Sequence, residues 1–138
     1  MQELAPHLHT DDAEILFTAS EMMHRRKAEF ADRVVLLRVI GAYSNALHFE
    51  AQADHFHAAE AYSTGASEIV ASAFPTPANL SWAQDLLDSA RINLEKHVKE
   101  NPDQKNWTPV TLLEVGIGAT TVAVHAAMVE EDLPERRL

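Results

Sequence analysis

The segment from Val34 to Tyr62 constrains the fold more than any other part of the chain. It contains no proline and a single glycine, and its apolar residues recur every three or four positions. This spacing is typical of an α-helix with one buried face. Large apolar residues also lie on a second side of the helix. The segment is therefore predicted to be a central helix or one that forms an oligomer interface.

The chain before and after this segment carries further helical signals. Residues 1–10 form a loose leader, and a first amphipathic helix is predicted from about Asp11 to Phe30. The apolar stripe changes phase across residues 31–33, so we predict a helix boundary there. The alternatives are a continuous long helix or a kink at Gly41. Residues 63–65 are the next turn signal, because Gly65 can take the left-handed position after a helix. Residues 66–74 are predicted to be a short further helix or a continuation.

The second half of the chain is divided by prolines. A loop is predicted around residues 75–77, followed by a helix from an N-cap at Ser81 to about Lys99. Residues 101–103 end that helix, and the last helix begins at Thr108 and runs to about Glu131, before a charged tail at 132–138. The sequence thus predicts an all-α protein, a single-domain helical bundle of four to five helices over residues 1–138.

Charge and cysteine content exclude several classes of function. The formal net charge of −10 argues against electrostatic binding of nucleic acid, which requires a basic surface. The chain has no cysteine, which excludes disulfides, zinc fingers and thiol chemistry. The N-terminal residues lack the basic and apolar regions of a signal peptide, so we predict an acidic, cytoplasmic protein.

The most apolar part of the chain, Val110 to Val129, approaches the length of a transmembrane helix. It nevertheless contains Glu114, His125 and three threonines, which are costly in a bilayer. We interpret it as a buried helix of the bundle and expect no contact with a membrane.

Three ionisable residues, Glu50, Asp54 and His57, share the apolar side of the central helix if that helix is continuous. Their spacing of four and three residues places them on neighbouring turns. Carboxylates on a buried face need a partner or a cation, and converging carboxylate and imidazole groups bind divalent transition metals or iron. We favour the alternative, in which this end of the helix extends beyond the bundle into water, because alanines replace large apolar residues there.

Other helices offer further ligands for such a metal site. His97 lies on the apolar stripe of the helix that follows Ser81, and Glu114 and His125 lie on a narrow polar stripe of the last helix. Glu114 and His125 are about 16 Å apart along that helix and cannot bind one ion directly. The alternative is that each is a core polar group that hydrogen-bonds to a neighbouring helix.

The sequence contains no phosphate-binding glycine loop, no nucleophile elbow and no HExxH motif. The leading hypothesis is therefore a non-catalytic bundle without a cofactor, an accessory, regulatory or self-assembling module that contacts a protein partner or a second copy of itself. The first alternative is a metal-binding bundle that uses the six residues named above. A weaker alternative is a small all-α enzyme with a carboxylate general base.

Overall fold

The protein is an all-α helical bundle, as the sequence predicted. The structure, a computed structural model, describes residues 33–72 and 76–132, and these residues contain four α-helices, one short 3₁₀ turn and no strand. The elements are α1 (Arg33–Ala51), α2 (His55–Ala71), α3 (Pro77–Glu100), the 3₁₀ turn (Pro102–Gln104) and α4 (Thr108–Asp132). The predicted leader, the helix from Asp11 to Phe30 and most of the charged tail lie outside the described residues.

Each helix packs mainly against its neighbours in the chain. α2 packs extensively against both α1 and α3, whereas α4 packs on α3 and, over a smaller area, on α2. The core is therefore centred on α1, α2 and α3. Its largest fully buried aliphatic side chains come from all four helices: Val39, Ile40, Ile69, Leu80, Leu87, Val110 and Val124.

The prediction of one continuous helix from Val34 to Tyr62 is wrong, because the chain turns at residues 52–54. The amide of Asp54 donates to the carbonyl of Phe49, and that of Ala53 donates to the carbonyl of Glu50. These two bonds, with Ala53 in the left-handed region at φ 58°, form a Schellman motif. The signal was missed because alanine stands where such a cap normally has glycine.

Two glycines do not interrupt the helices. α1 runs without a break through Gly41, and Gly65 lies within α2 instead of ending it. A Cβ added to Gly65 would lie 3.3 Å from Leu86 Cδ1 and 3.6 Å from the Cβ of Ala42. Gly65 thus allows α2 to approach α1 and α3 closely, which is a packing role that local sequence cannot distinguish from a helix end.

The third helix begins five residues before the predicted start, at an N-cap on Thr76 instead of Ser81. Thr76, and not Ser81, is its N-cap, because the Thr76 hydroxyl accepts a hydrogen bond from the amide of Asn79 at 3.1 Å. Pro77 then occupies the first helical position, where its missing amide costs nothing. The predicted end of this helix is confirmed, since the amide of Asn101 donates to the carbonyl of His97 at 2.9 Å.

The prediction that the last helix is buried is wrong. α4 begins at Thr108 as expected, but only one side of it contacts the bundle, through Val110, Ile117 and Val124. These three residues are seven apart and therefore lie on one face of the helix. The opposite face of α4 is exposed to solvent.

Candidate functional site

Glu50 is held by hydrogen bonds within the protein. Its Oε1 accepts a bond of 2.7 Å from the Tyr62 hydroxyl, and its Oε2 accepts one of 2.8 Å from Asn93 Nδ2. Tyr62 and Asn93 are both buried, on α2 and α3. The carboxylate of Glu50 therefore connects the end of α1 to the two helices that pack beside it.

This network continues from Asn93 to the surface. His55 Nδ1 donates to Asn93 Oδ1 at 3.0 Å, and His55 Nε2 faces the Glu100 carboxylate at 3.4 Å. Burial, together with the hydrogen bond to Glu50 and its charge, raises the pKa of Tyr62 far above the ordinary tyrosine value. The Tyr62 hydroxyl therefore stays protonated and remains a donor to Glu50.

Asp54 and His57 lie at the exposed beginning of α2. One Asp54 oxygen accepts from the His57 amide as the N-cap of α2, and the other accepts from His57 Nδ1 at 2.8 Å. Their side chains are 39% and 55% exposed. The expectation that this part of the chain is in contact with water is confirmed for Asp54 and His57, whereas Glu50 is half-buried.

His97 lies at the same end of the bundle. Its Nε2 donates to Gln104 Oε1 at 2.7 Å, and its ring lies 5.4 Å from the Phe56 ring, edge to face. The rings of His57 and Trp107 also contact Phe56. These aromatic contacts hold both histidine rings against Phe56.

Glu114 and His125 lie apart on α4. Glu114 borders a groove of about 440 Å³ between α3 and α4, together with Arg91, Lys99 and Lys105. His125 Nε2 donates to Gln84 Oε1 on α3 at 3.1 Å. His125 thus hydrogen-bonds to the neighbouring helix, as the alternative predicted, but it is exposed and is not a core residue.

The proposed ligands do not converge as the sequence suggested. Glu50, Asp54 and His57 cannot form a site on one helix, because the turn at 52–54 separates α1 from α2. Within residues 33–72 and 76–132, no group of three or more His, Asp or Glu side chains is placed to hold a metal ion. The network around Glu50 joins three helices instead.

The exposed face of α4 is the most unusual surface in the described part of the chain. Leu112, Val115, Val122 and Val129 are 66%, 64%, 69% and 60% exposed. Two exposed alanines, Ala119 and Ala126, lie between them on the same side. Single exposed aliphatic residues are common, but a row of them along one helix marks an interaction site.

These six residues follow one another at intervals of three and four. We name them the α4 seam: Leu112, Val115, Ala119, Val122, Ala126 and Val129. An alternation of three and four is the spacing by which one helix packs along another. At 100° per residue, the seam lies almost opposite Val110, Ile117 and Val124, which face the bundle.

Small and uncharged residues flank the α4 seam. Gly116 and Gly118 have open space around them, since a Cβ added to either would meet no atom within 4 Å. Glu114 is the only residue with a formal charge between Val110 and Val129. A second helix could therefore approach this face closely without burying a charge.

By length and composition, α4 could also cross a membrane. Its segment Thr108–Val129 contains a stretch of 18 residues with a mean hydropathy of 1.6, and only 11% of that stretch is buried. However, the Thr121 hydroxyl accepts a hydrogen bond from Arg91, and His125 is bound to Gln84, both on α3. These bonds and the buried valines fix one side of α4 to the bundle.

The α4 seam could have been found from the sequence by its three-and-four spacing. The high apolar content of all sides of this helix instead suggested a buried position, and the seam was not separated from the face that packs on α3. Neither a known protein family, nor a curated protein, nor a solved structure matches this chain.

Proposed function

We propose that the protein acts through protein–protein contact and that the α4 seam is its docking surface. The observation that carries this proposal is the exposure of six apolar residues at three-and-four spacing on one face of a helix. Such a face is buried when an apolar helix of a partner lies along it. The protein is then a non-catalytic interaction module.

The size of the surface supports this function. A fully exposed valine or leucine side chain presents roughly 100 Å² of apolar surface, so the seam exposes on the order of 300 Å². That is at the lower end of the range for the largest apolar patch of a typical monomer, about 300–600 Å², and such patches are often functional. Its burial would contribute about 7 kcal/mol before the cost of association is subtracted.

The network around Glu50 favours docking over the two alternatives, metal binding and carboxylate catalysis. Both Glu50 oxygens already accept hydrogen bonds from Tyr62 and Asn93, and Asp54 serves as a helix cap. A carboxylate in these roles is explained by the stability of the fold. Within residues 33–72 and 76–132, no contact gives the α4 seam a comparable explanation.

Site-specific photocrosslinking in the cells that produce the protein tests this function. A photoreactive amino acid is placed at Val122, at the middle of the seam, and in a control chain at Ile92, an exposed aliphatic residue of α3. We expect protein adducts from position 122 and few from position 92. A partner helix on the seam would lie within reach of the first probe only.

The function is wrong if the two positions give the same pattern of adducts, or if position 122 gives none. Circular dichroism of both labelled chains verifies that their helical content is that of the natural chain, so that a negative result refers to the surface and not to the fold.

A further inference from the structure

We propose that the occupant of the α4 seam is a second copy of this chain, with the two α4 helices antiparallel. This inference rests on the function proposed above, because it names the partner of the same surface. Each copy would present the same seam to the other, which gives a closed dimer with a twofold axis.

The charge of the surface favours a second copy over a basic partner. The chain is strongly acidic, with a net charge of −10, yet the seam and its flanks carry no acidic group except Glu114 at the edge. A basic partner would gain little from an uncharged face. Two copies can bring these faces together without placing like charges in the contact.

The order of large and small residues favours the antiparallel direction. When the two helices run in opposite directions, each alanine of one seam faces a valine of the other, and the end residues face each other. We call each pair of facing residues a layer. The three kinds of layer are Leu112 with the partner's Val129, Val115 with the partner's Ala126, and Ala119 with the partner's Val122. Layers of similar volume allow two helices to pack at a constant separation.

A parallel pair would pack less evenly. Identical residues would then face each other, so Ala119 would meet the partner's Ala119 and leave a gap between layers of paired valines. The side chains on both sides of such a gap lose van der Waals contacts. The small residues Gly116 and Gly118 at the flanks also allow the close approach that alanine layers require.

The expected affinity sets the conditions of the experiment. Two seams together remove about 600 Å² of apolar side-chain surface, and the flanking residues bring the total to the order of 1,000 Å². Specific interfaces begin at about this size, and small ones dissociate in the micromolar range. The dimer should therefore form between about 1 and 500 µM protein.

Sedimentation velocity of the full chain over this range tests for the second copy. We expect a shift from the 15.3 kDa monomer to a species of twice that mass. Val122→Glu should raise the dissociation constant at least about a hundredfold, because it buries a charge in both copies. Ile92→Glu, which adds the same charge on α3, should change it by less than about threefold.

Disulfide formation tests the antiparallel direction. Because the natural chain has no cysteine, Leu112→Cys and Val129→Cys each introduce a single thiol. Oxidation of an equal mixture, with an affinity tag on one variant, should yield mainly the mixed disulfide between positions 112 and 129. Val115→Cys mixed with Ala126→Cys gives the same test at a second layer, in case either end variant folds poorly.

The outcomes separate this inference from the function on which it rests. If the chain is a monomer at all concentrations and position 122 crosslinks only to other proteins, the second copy is ruled out and the docking function is still supported. The same monomer without crosslinks overturns both. A dimer joined mainly by disulfides between identical positions overturns the antiparallel direction.

Discussion

Replacement of Ala53 by glycine should stabilise the fold. Ala53 has a φ of 58° in the turn between α1 and α2, a conformation in which the Cβ of an L-residue crowds the carbonyl that follows it. Its side chain is exposed, so its removal loses no buried contact. The two backbone bonds of the turn, from Ala53 to Glu50 and from Asp54 to Phe49, do not depend on the side chain.

The size of the effect follows from two opposing terms. The left-handed conformation costs an L-residue about 1–2 kcal/mol, and glycine avoids this cost. Glycine also has more freedom in the unfolded chain, which lowers the stability by about 0.4–1 kcal/mol. The net gain of Ala53→Gly should be about 0.5–1 kcal/mol, or about 2–4 °C in melting temperature for a chain of this size.

Ala51→Gly is a matched control with the opposite sign. Ala51 is also exposed, but it is the last residue of α1 and has a helical conformation. Glycine there relieves no strain and should cost about 0.5–1 kcal/mol. Urea unfolding followed by circular dichroism at 222 nm measures both variants, at one fixed protein concentration, because association would add to the apparent stability.

A decrease in stability for Ala53→Gly, or a shift of both variants in the same direction, would refute the reasoning. The first result would mean that residue 53 is not left-handed in solution and that α1 and α2 are joined in another way. The slopes of the unfolding curves must be unchanged for the comparison to refer to the folded state.

Two further predictions concern the polar groups that join the helices. Because the pKa of Tyr62 is raised by burial, the free energy of unfolding should be constant to about pH 9 and fall above about pH 10, where the unfolded chain loses this proton. Tyr62→Phe should remove about 1.5–3 kcal/mol at pH 7 and flatten that alkaline fall, as measured by urea unfolding from pH 7 to 11. Thr76→Ala should cost about 1 kcal/mol in thermal unfolding, because it removes the N-cap of α3. Ser81→Ala, inside the same helix and exposed, should change the stability by less than about 0.5 kcal/mol, and equal losses in the two variants would contradict the assignment of the cap.

The regular parts of the fold could be predicted from the sequence. The all-α class and the apolar stripe of α3 follow from helical periodicity, and the end of α3 at Asn101 follows from the proline after it. The turn at 52–54 could not be predicted, because its left-handed residue is alanine and the helical pattern continues across it. The opposite error occurred at Gly65, where a glycine suggested a helix end that does not exist. Its role depends on the close approach of Leu86 from another helix, which local sequence does not show.

The candidate site was less accessible to prediction. Glu50 was singled out because it lies on an apolar face, and the structure explains it by Tyr62 and Asn93, which are distant in sequence. Neither partner carries a local signal that it will meet Glu50. The α4 seam did have a local signal, but its meaning depends on how many helices surround α4, and that number is a property of the whole bundle.

The packing of each helix on its neighbours in the chain has a consequence for how the protein folds. Contacts between adjacent helices close only short loops, and chains with such contacts fold within microseconds to milliseconds. α4 joins α3 through one face, after a loop of only a few residues. The contacts among the described helices can therefore form within one chain, during or soon after its synthesis. Contact at the α4 seam would then be an association of two folded molecules, and its extent would depend on their concentration.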